Sequence, residues 1–165
     1  MAMGFPARLF SVILRVSPGR IRNWMWKWWY QRLAKAHRRS DFRFMNYGYK
    51  DDKGPKLSRE DEPNRLFIQL YHMNIRDIDL QGREVLEVGS GRGGGASWIA
   101  KYCEPESLVG VDFSKEAVRL SRKWYSEQEN LSFIEGNAES LPINDSAFDV
   151  VYNVESSHCY GNMRA

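Results

Sequence analysis

The chain has 165 residues, of which 42% are hydrophobic and 27% charged, enough for one domain with a real core and too apolar for a disordered chain. The net charge of +3 conceals an asymmetry: nine of the 24 Lys/Arg and none of the 21 Asp/Glu lie in residues 1–39. The remainder carries 15 basic against 21 acidic groups, a balance of −6, which argues against nucleic acid as the main partner.

Cys103 and Cys159 make no disulfide framework and read as small buried hydrophobes in a reducing compartment. No apolar run approaches the roughly 20 residues of a membrane-spanning helix. The apolar stretch Leu9–Leu14 is short and no small-residue cleavage site follows it.

In chain order, the first expected helix carries Leu9, Phe10, Val12, Ile13 and Leu14 and ends at Pro18-Gly19. A second runs from about Ile21 to Arg39. Ile21, Trp24, Met25, Trp28, Trp29, Leu33 and Ala36 fall on one stripe, and Arg20, Lys27, Gln31, Lys35 and Arg38 on another. Three readings of this basic leader, residues 1–40, stay open. It packs on the domain as a lid, it contacts a membrane surface peripherally through residues 5–39, or it is an Arg-rich targeting peptide.

Residues 41–60 form a polar connector with an aromatic island, Phe42-Arg43-Phe44-Met45-Asn46-Tyr47-Gly48-Tyr49. The island either touches a ligand or packs under the leader. Asp61 as a cap and Pro63 in the first turn start a helix to about Arg76, with Leu66, Phe67, Leu70 and Met73 or Asn74 expected on its inner side.

Gln81-Gly82 turns into a first strand, Val85–Val88, a short apolar run suited to a buried parallel strand. Five glycines within residues 89–95 break it, and a helix follows to Tyr102. Strand Ser107–Asp112, helix Lys115–Gln128 with Ser114 as its cap, strand Leu131–Glu135 and strand Phe148–Val154 complete the series. The alternation predicts an α/β fold with a parallel, doubly wound sheet and an N-terminal helical extension.

A strand, a glycine turn and a helix in that order suit a nucleotide. Glycine lets a ligand approach the main chain, and the helix start favours an anion. Gly89, Gly91 and Gly94 fit G-x-G-x-x-G, a weak pattern alone. Asp112 ends the second strand 21 positions beyond Gly91, where an acid can hold ribose hydroxyls. Two features separate the rival ligands. Glu87 is a carboxylate within an apolar strand, costly unless it meets a cation or donors. It would repel a pyrophosphate and suit the ammonium and sulfonium of S-adenosylmethionine. Residues 136–143 offer a polar side chain and backbone N–H to an adenine edge.

Glu87-Val-Gly89-Ser-Gly91-Arg-Gly93, Gly110-Val-Asp112-Phe-Ser114, Gly136-Asn137-Ala138-Glu139-Ser-Leu141-Pro142 and Phe148-Asp149-Val-Val together resemble a class I S-adenosylmethionine-dependent methyltransferase. Residues 61–64, 93–97 and 153–160 go further and resemble the phthiotriol/phenolphthiotriol dimycocerosate methyltransferases, which O-methylate long-chain lipids. The resemblance implies a Rossmann-like fold and S-adenosylmethionine as cofactor. Glu87, Gly89, Gly91 and Gly93 would hold its methionine portion, Asp112 the ribose, and Asn137 with Ala138 the adenine. The family usually has Asp where this chain has Asn137, whose amide oxygen still accepts a hydrogen bond.

A hydroxyl acceptor needs a base. His158, in the loop after the fourth strand, is the candidate, with Glu155 to orient it; local packing is the alternative for this histidine. No Cys/His/acid cluster has metal-ligand spacing, so no metal is expected. The family's sheet typically has seven strands, and this sequence stops after the fourth. The expectation is therefore a chain truncated on the acceptor side and inactive as it stands.

The expected activity of the complete protein is O-methylation of a lipid or other hydrophobic hydroxyl acceptor, in the cytoplasm or peripherally at a membrane. C-methylation of a sterol- or quinone-like acceptor, a non-catalytic cofactor-binding fragment and, more distantly, a nicotinamide-dependent reductase are the alternatives.

Overall fold

The computed structural model describes residues 42–162, so both leader helices lie outside the described residues. Four strands, β1 (Glu84–Val88), β2 (Ser107–Asp112), β3 (Leu131–Glu135) and β4 (Val150–Tyr152), form one sheet. Its order is β3-β2-β1-β4 and every pairing is parallel. The chain winds outward from β1 to β3, then returns to set β4 on the other side of β1. That reversal makes the sheet doubly wound and opens a crevice at the carboxyl ends of β1 and β4.

The helices are α1 (Arg65–Ile75), α2 (Gly94–Tyr102) and α3 (Lys115–Trp124). α3 starts where Ser114 accepts the Ala117 N–H at 3.3 Å. Glu116 in its first turn and Arg122 and Lys123 in its last match the helix dipole. α1 begins differently from expectation. Asp61 makes no side-chain cap; its carboxylate accepts from the hydroxyls of Ser58 and Tyr102, and a short 3-10 turn over Glu62–Asn64 leads in.

The inner face of α1 is partly the expected one: Phe67 and Leu70 pack on the core, but the buried centre is turned toward Tyr71. Ile68, Tyr71 and Ile75 are buried, while Leu66 is half exposed. Two apolar stripes compete on this helix. The sheet takes the one carrying Tyr71, whose hydroxyl reaches a partner beneath it.

Strand alternation sorts the core into two faces. Val85, Leu108, Phe133 and Tyr152 pack with Ile68, Ile99 and Val118 of the helices. Leu86, Val88 and Val111 pack on the opposite face against Ala138, Leu141, Ile143, Phe148 and Tyr160. Glu87 shares the helix-covered face with Val85 and is completely buried.

Candidate active site

A cavity of about 350 Å³ lies over the carboxyl ends of β1, β2 and β4, within the ~300–1,000 Å³ common for small-ligand sites. Its floor is the first part of the glycine turn, Gly89–Gly91; Gly93 lies outside the lining, against Phe133 and Ser121. Gly89, Gly91 and Gly93 have φ of +82°, +55° and +77°, a region that favours glycine. Close approach matters as much as torsion. A Cβ on Gly89 would stand 2.1 Å from the Ser156 hydroxyl, and one on Gly93 2.5 Å from the Phe133 ring.

Asp112 is the best-defined acid of the wall. The Gly91 N–H donates to its Oδ2 and the Ser114 N–H to its Oδ1, each at 2.8 Å. Burial nevertheless pushes its carboxyl up to about 6, the two backbone bonds opposing that shift. Each oxygen keeps a lone pair for a ligand hydroxyl. Asn137 and Ala138 also line the cavity, and the Asn137 amide oxygen accepts the Glu139 N–H at 3.2 Å.

Glu87 occupies a different place from the one expected. It lies behind the cavity wall, not on it. Tyr71 donates to its Oε1 at 2.8 Å and Tyr152 to its Oε2 at 3.1 Å. Tyr152 is its register partner on β4, and Gly110 its partner on β2. Burial raises the Glu87 carboxyl to about 7, against the lowering effect of the two tyrosine hydrogen bonds.

The loop after β4 also corrects an expectation. His158 is exposed and absent from the cavity wall, because the 3-10 turn Ser157–Cys159 directs it outward. Glu155, Ser156, Cys159 and Tyr160 face the cavity instead. Glu155 adopts φ +54°, and its Oε2 accepts the Tyr47 N–H at 2.7 Å. Asn153 and Ser156 both donate to the Val88 carbonyl, at 2.8 and 3.0 Å, which ties this loop to the end of β1.

The aromatic connector packs on α1 and also reaches the cavity; the leader it was expected to pack under lies outside the described residues. Phe44 packs against Phe67 and Tyr71, while Arg43 and Met45 reach the cavity. Buried Arg92 donates to the Phe42 carbonyl at 3.0 Å, and the Gly94 N–H donates to the Arg43 carbonyl at 3.3 Å. The connector thus runs across the start of α2. Sequence reasoning missed Tyr71, Met45 and Tyr160 as wall residues. Gly94 and Gly95, outside the core turn, were the available signal, since Arg43 and Tyr71 fill the space beside them.

The residues fit S-adenosylmethionine better than a dinucleotide. Asp112, Glu139 and Glu155 on the wall favour a cationic ligand and oppose a pyrophosphate. Apolar Val111, Phe113 and Ala138 complete a wall suited to a nucleoside.

The sheet order and the glycine turn are those of the Rossmann-like class I methyltransferase fold, and the crevice suits that class's cofactor, S-adenosylmethionine. Residues 86–165 match the family model described as "Methyltransferase domain". More particularly, the chain is similar to the phthiotriol/phenolphthiotriol dimycocerosates methyltransferase of Mycobacterium tuberculosis, with 38% identity over 96% of this chain and 59% of that protein. It is 41% identical to the fatty-acid O-methyltransferase of Mycolicibacterium smegmatis over 79% of this chain and 48% of that one. Among solved structures, the YcgJ protein of Bacillus subtilis superposes with a TM-score of 0.53 and 30% identity over 58% of this chain and 41% of that one. The chain therefore spans about half to three fifths of the length of these curated relatives.

Proposed function

We propose that the protein transfers a methyl group from S-adenosylmethionine to an oxygen of a lipid or other hydrophobic acceptor. The observation that carries this reading is the cavity at the β1–β4 crevice, where three acids outnumber the single Arg43 among apolar and neutral polar residues, with Asp112 prepared by two backbone N–H groups. Similarity to a phthiotriol/phenolphthiotriol dimycocerosates methyltransferase and a fatty-acid O-methyltransferase supports a lipid-like acceptor.

The bound cofactor supplies a methyl carbon already activated by its sulfonium. Asp112 would hold the ribose, and the backbone of Gly89 and Gly91 would admit the amino-acid portion. Asn137 and Ala138 would flank the adenine. The protein's remaining work is to align the acceptor and exclude water, and the connector at Met45 serves the second.

Glu155 is the base in this scheme, in place of His158. Its Oε2 is held by the Tyr47 N–H, and Oε1 would take the proton of an acceptor hydroxyl; the bound cofactor would supply the methyl group by breaking its sulfur–methyl bond and leave as the neutral thioether. An acceptor that is already a carboxylate needs no such step.

The test is methyl transfer from labelled S-adenosylmethionine to long-chain alcohols, fatty acids and a quinol, with products identified by mass spectrometry. O-methyl products from an apolar acceptor support the reading. Methylation at carbon, or turnover of small polar acceptors only, overturns it.

A further inference from the structure

Glu87 presents an unusual problem. It is fully buried, its two oxygens accept from two tyrosine hydroxyls, and it does not reach the cavity. A carboxylate in that position is costly unless something nearby rewards its charge. The titratable groups that face the cluster are Asp112 at the end of β2, Cys103 after α2, Tyr125 after α3 and Glu155 after β4. None of these four supplies a positive charge; the nearby cation is Arg43, which lines the same cavity as Tyr71 and stands 5.7 Å from the Tyr125 ring.

Tyr71 is the member of the cluster that also lines the cavity. Its ring is held closely: a Cβ on Gly95 would stand 1.9 Å from it, and Phe44 and Tyr152 meet it edge-on. The hydroxyl spends its proton on Glu87, so its oxygen is left to accept. A phenol that donates to a carboxylate becomes a stronger acceptor, because hydrogen bonds in a chain polarise one another.

We propose that Tyr71 is a positioning residue for the ammonium end of the cofactor, and that Glu87 acts on that ammonium through the Tyr71 hydroxyl and not by contact. The inference rests on the cofactor assignment. It also gives α1, which lies outside the glycine turn, a part in ligand recognition.

The test compares two ligands by calorimetry on the 165-residue chain. S-adenosylhomocysteine carries the ammonium; 5′-methylthioadenosine is a nucleoside that lacks the amino-acid end. Tyr71→Phe is expected to weaken the first about tenfold and the second less than about twofold. Wild-type affinity for the first ligand should rise from pH 6 to 8 with proton release, and this slope should shrink in Glu87→Gln. Affinity for the second ligand should follow only the Asp112 titration near pH 6, a slope that Glu87→Gln leaves unchanged.

Tyr152→Phe touches the same carboxylate without lining the cavity. It should change the pH dependence for the first ligand alone, which keeps the proposal testable if Tyr71→Phe does not fold. Equal weakening of both ligands by Tyr71→Phe, or no effect on either, overturns the proposal while leaving the cofactor assignment intact. A folded wild-type chain that binds neither ligand overturns both.

Discussion

The ring of Tyr71 occupies the space that a side chain on Gly95 would need, with its Cζ atom 1.9 Å from where a Cβ would stand. The two residues therefore constrain each other, and through Tyr71 the constraint reaches Glu87. Gly95→Ala is expected to destabilise the fold by about 1–3 kcal/mol, the usual cost of overpacking. A double-mutant cycle with Tyr71→Ala checks the pairing: the double variant should be clearly more stable than the two single losses predict. Simple additivity would disprove the coupling.

Asp112 spends one lone pair of each oxygen on a backbone N–H and keeps the rest for a ligand. Asp112→Asn replaces one acceptor oxygen by a donor group facing a backbone N–H. Affinity for S-adenosylhomocysteine should fall at least about tenfold, with the β-sheet circular dichroism preserved. Unchanged affinity would remove Asp112 from the ligand site.

Burial raises Glu87 from 4.5 to about 7 and Asp112 from 3.8 to about 6. The folded chain therefore holds these protons to higher pH than the unfolded chain does. Their contribution to stability is present below about pH 4 and is lost as pH rises through 6 and 7. Glu87→Gln removes its share, at most about 3–4 kcal/mol. The melting temperature of the variant relative to wild type should climb between pH 5 and pH 8 in the absence of ligand. A pH-independent difference would refute the assignment.

Glu155 and His158 sit in one loop but face different ways. With a hydroxyl acceptor, Glu155→Gln should lower kcat by about 10²-fold or more, a much larger effect than its loss of cofactor affinity. His158→Ala should alter kcat by less than about threefold, on the same estimate of what a true base contributes. The reverse ranking would restore His158 as the base.

Arg92 holds the connector from below through the Phe42 carbonyl. Its long, planar guanidinium is not matched by lysine. Arg92→Lys should speed hydrogen exchange in residues 42–46 while β1 and β2 stay protected. Equal exchange throughout would show that the connector is held by other contacts alone.

Much of this was legible in the residues. β2 and β3 follow their expected bounds to the residue: β2 is paired on both sides, and β3, at the edge, pairs with it from Leu131 to Glu135. β4 is shorter than its apolar run: Asp149 already accepts the Glu84 N–H with its side chain, and Asn153 turns to the Val88 carbonyl. Asp112, Gly89 and Gly91 line the cavity, while Gly93 packs on Phe133 instead. What spacing could not rank was rotation. α1 offers two apolar stripes, and the choice between Leu66 and Tyr71 depends on a carboxyl group 16 residues away from Tyr71. His158 was likewise indistinguishable from its neighbours, since a 3-10 turn decides which side chain faces inward.

The connection from β3 back to β4 has a kinetic consequence. β1 pairs with β2 about 23 residues downstream, but with β4 only 65 residues downstream, Val85 against Val150. Closing the longer loop costs more chain entropy and follows more slowly. The loop that carries Asn153, Glu155 and Ser156 is anchored to β1 only once β4 has docked. Ligand-binding competence should therefore be the last property gained on refolding, appearing after the β3-β2-β1 ladder is complete.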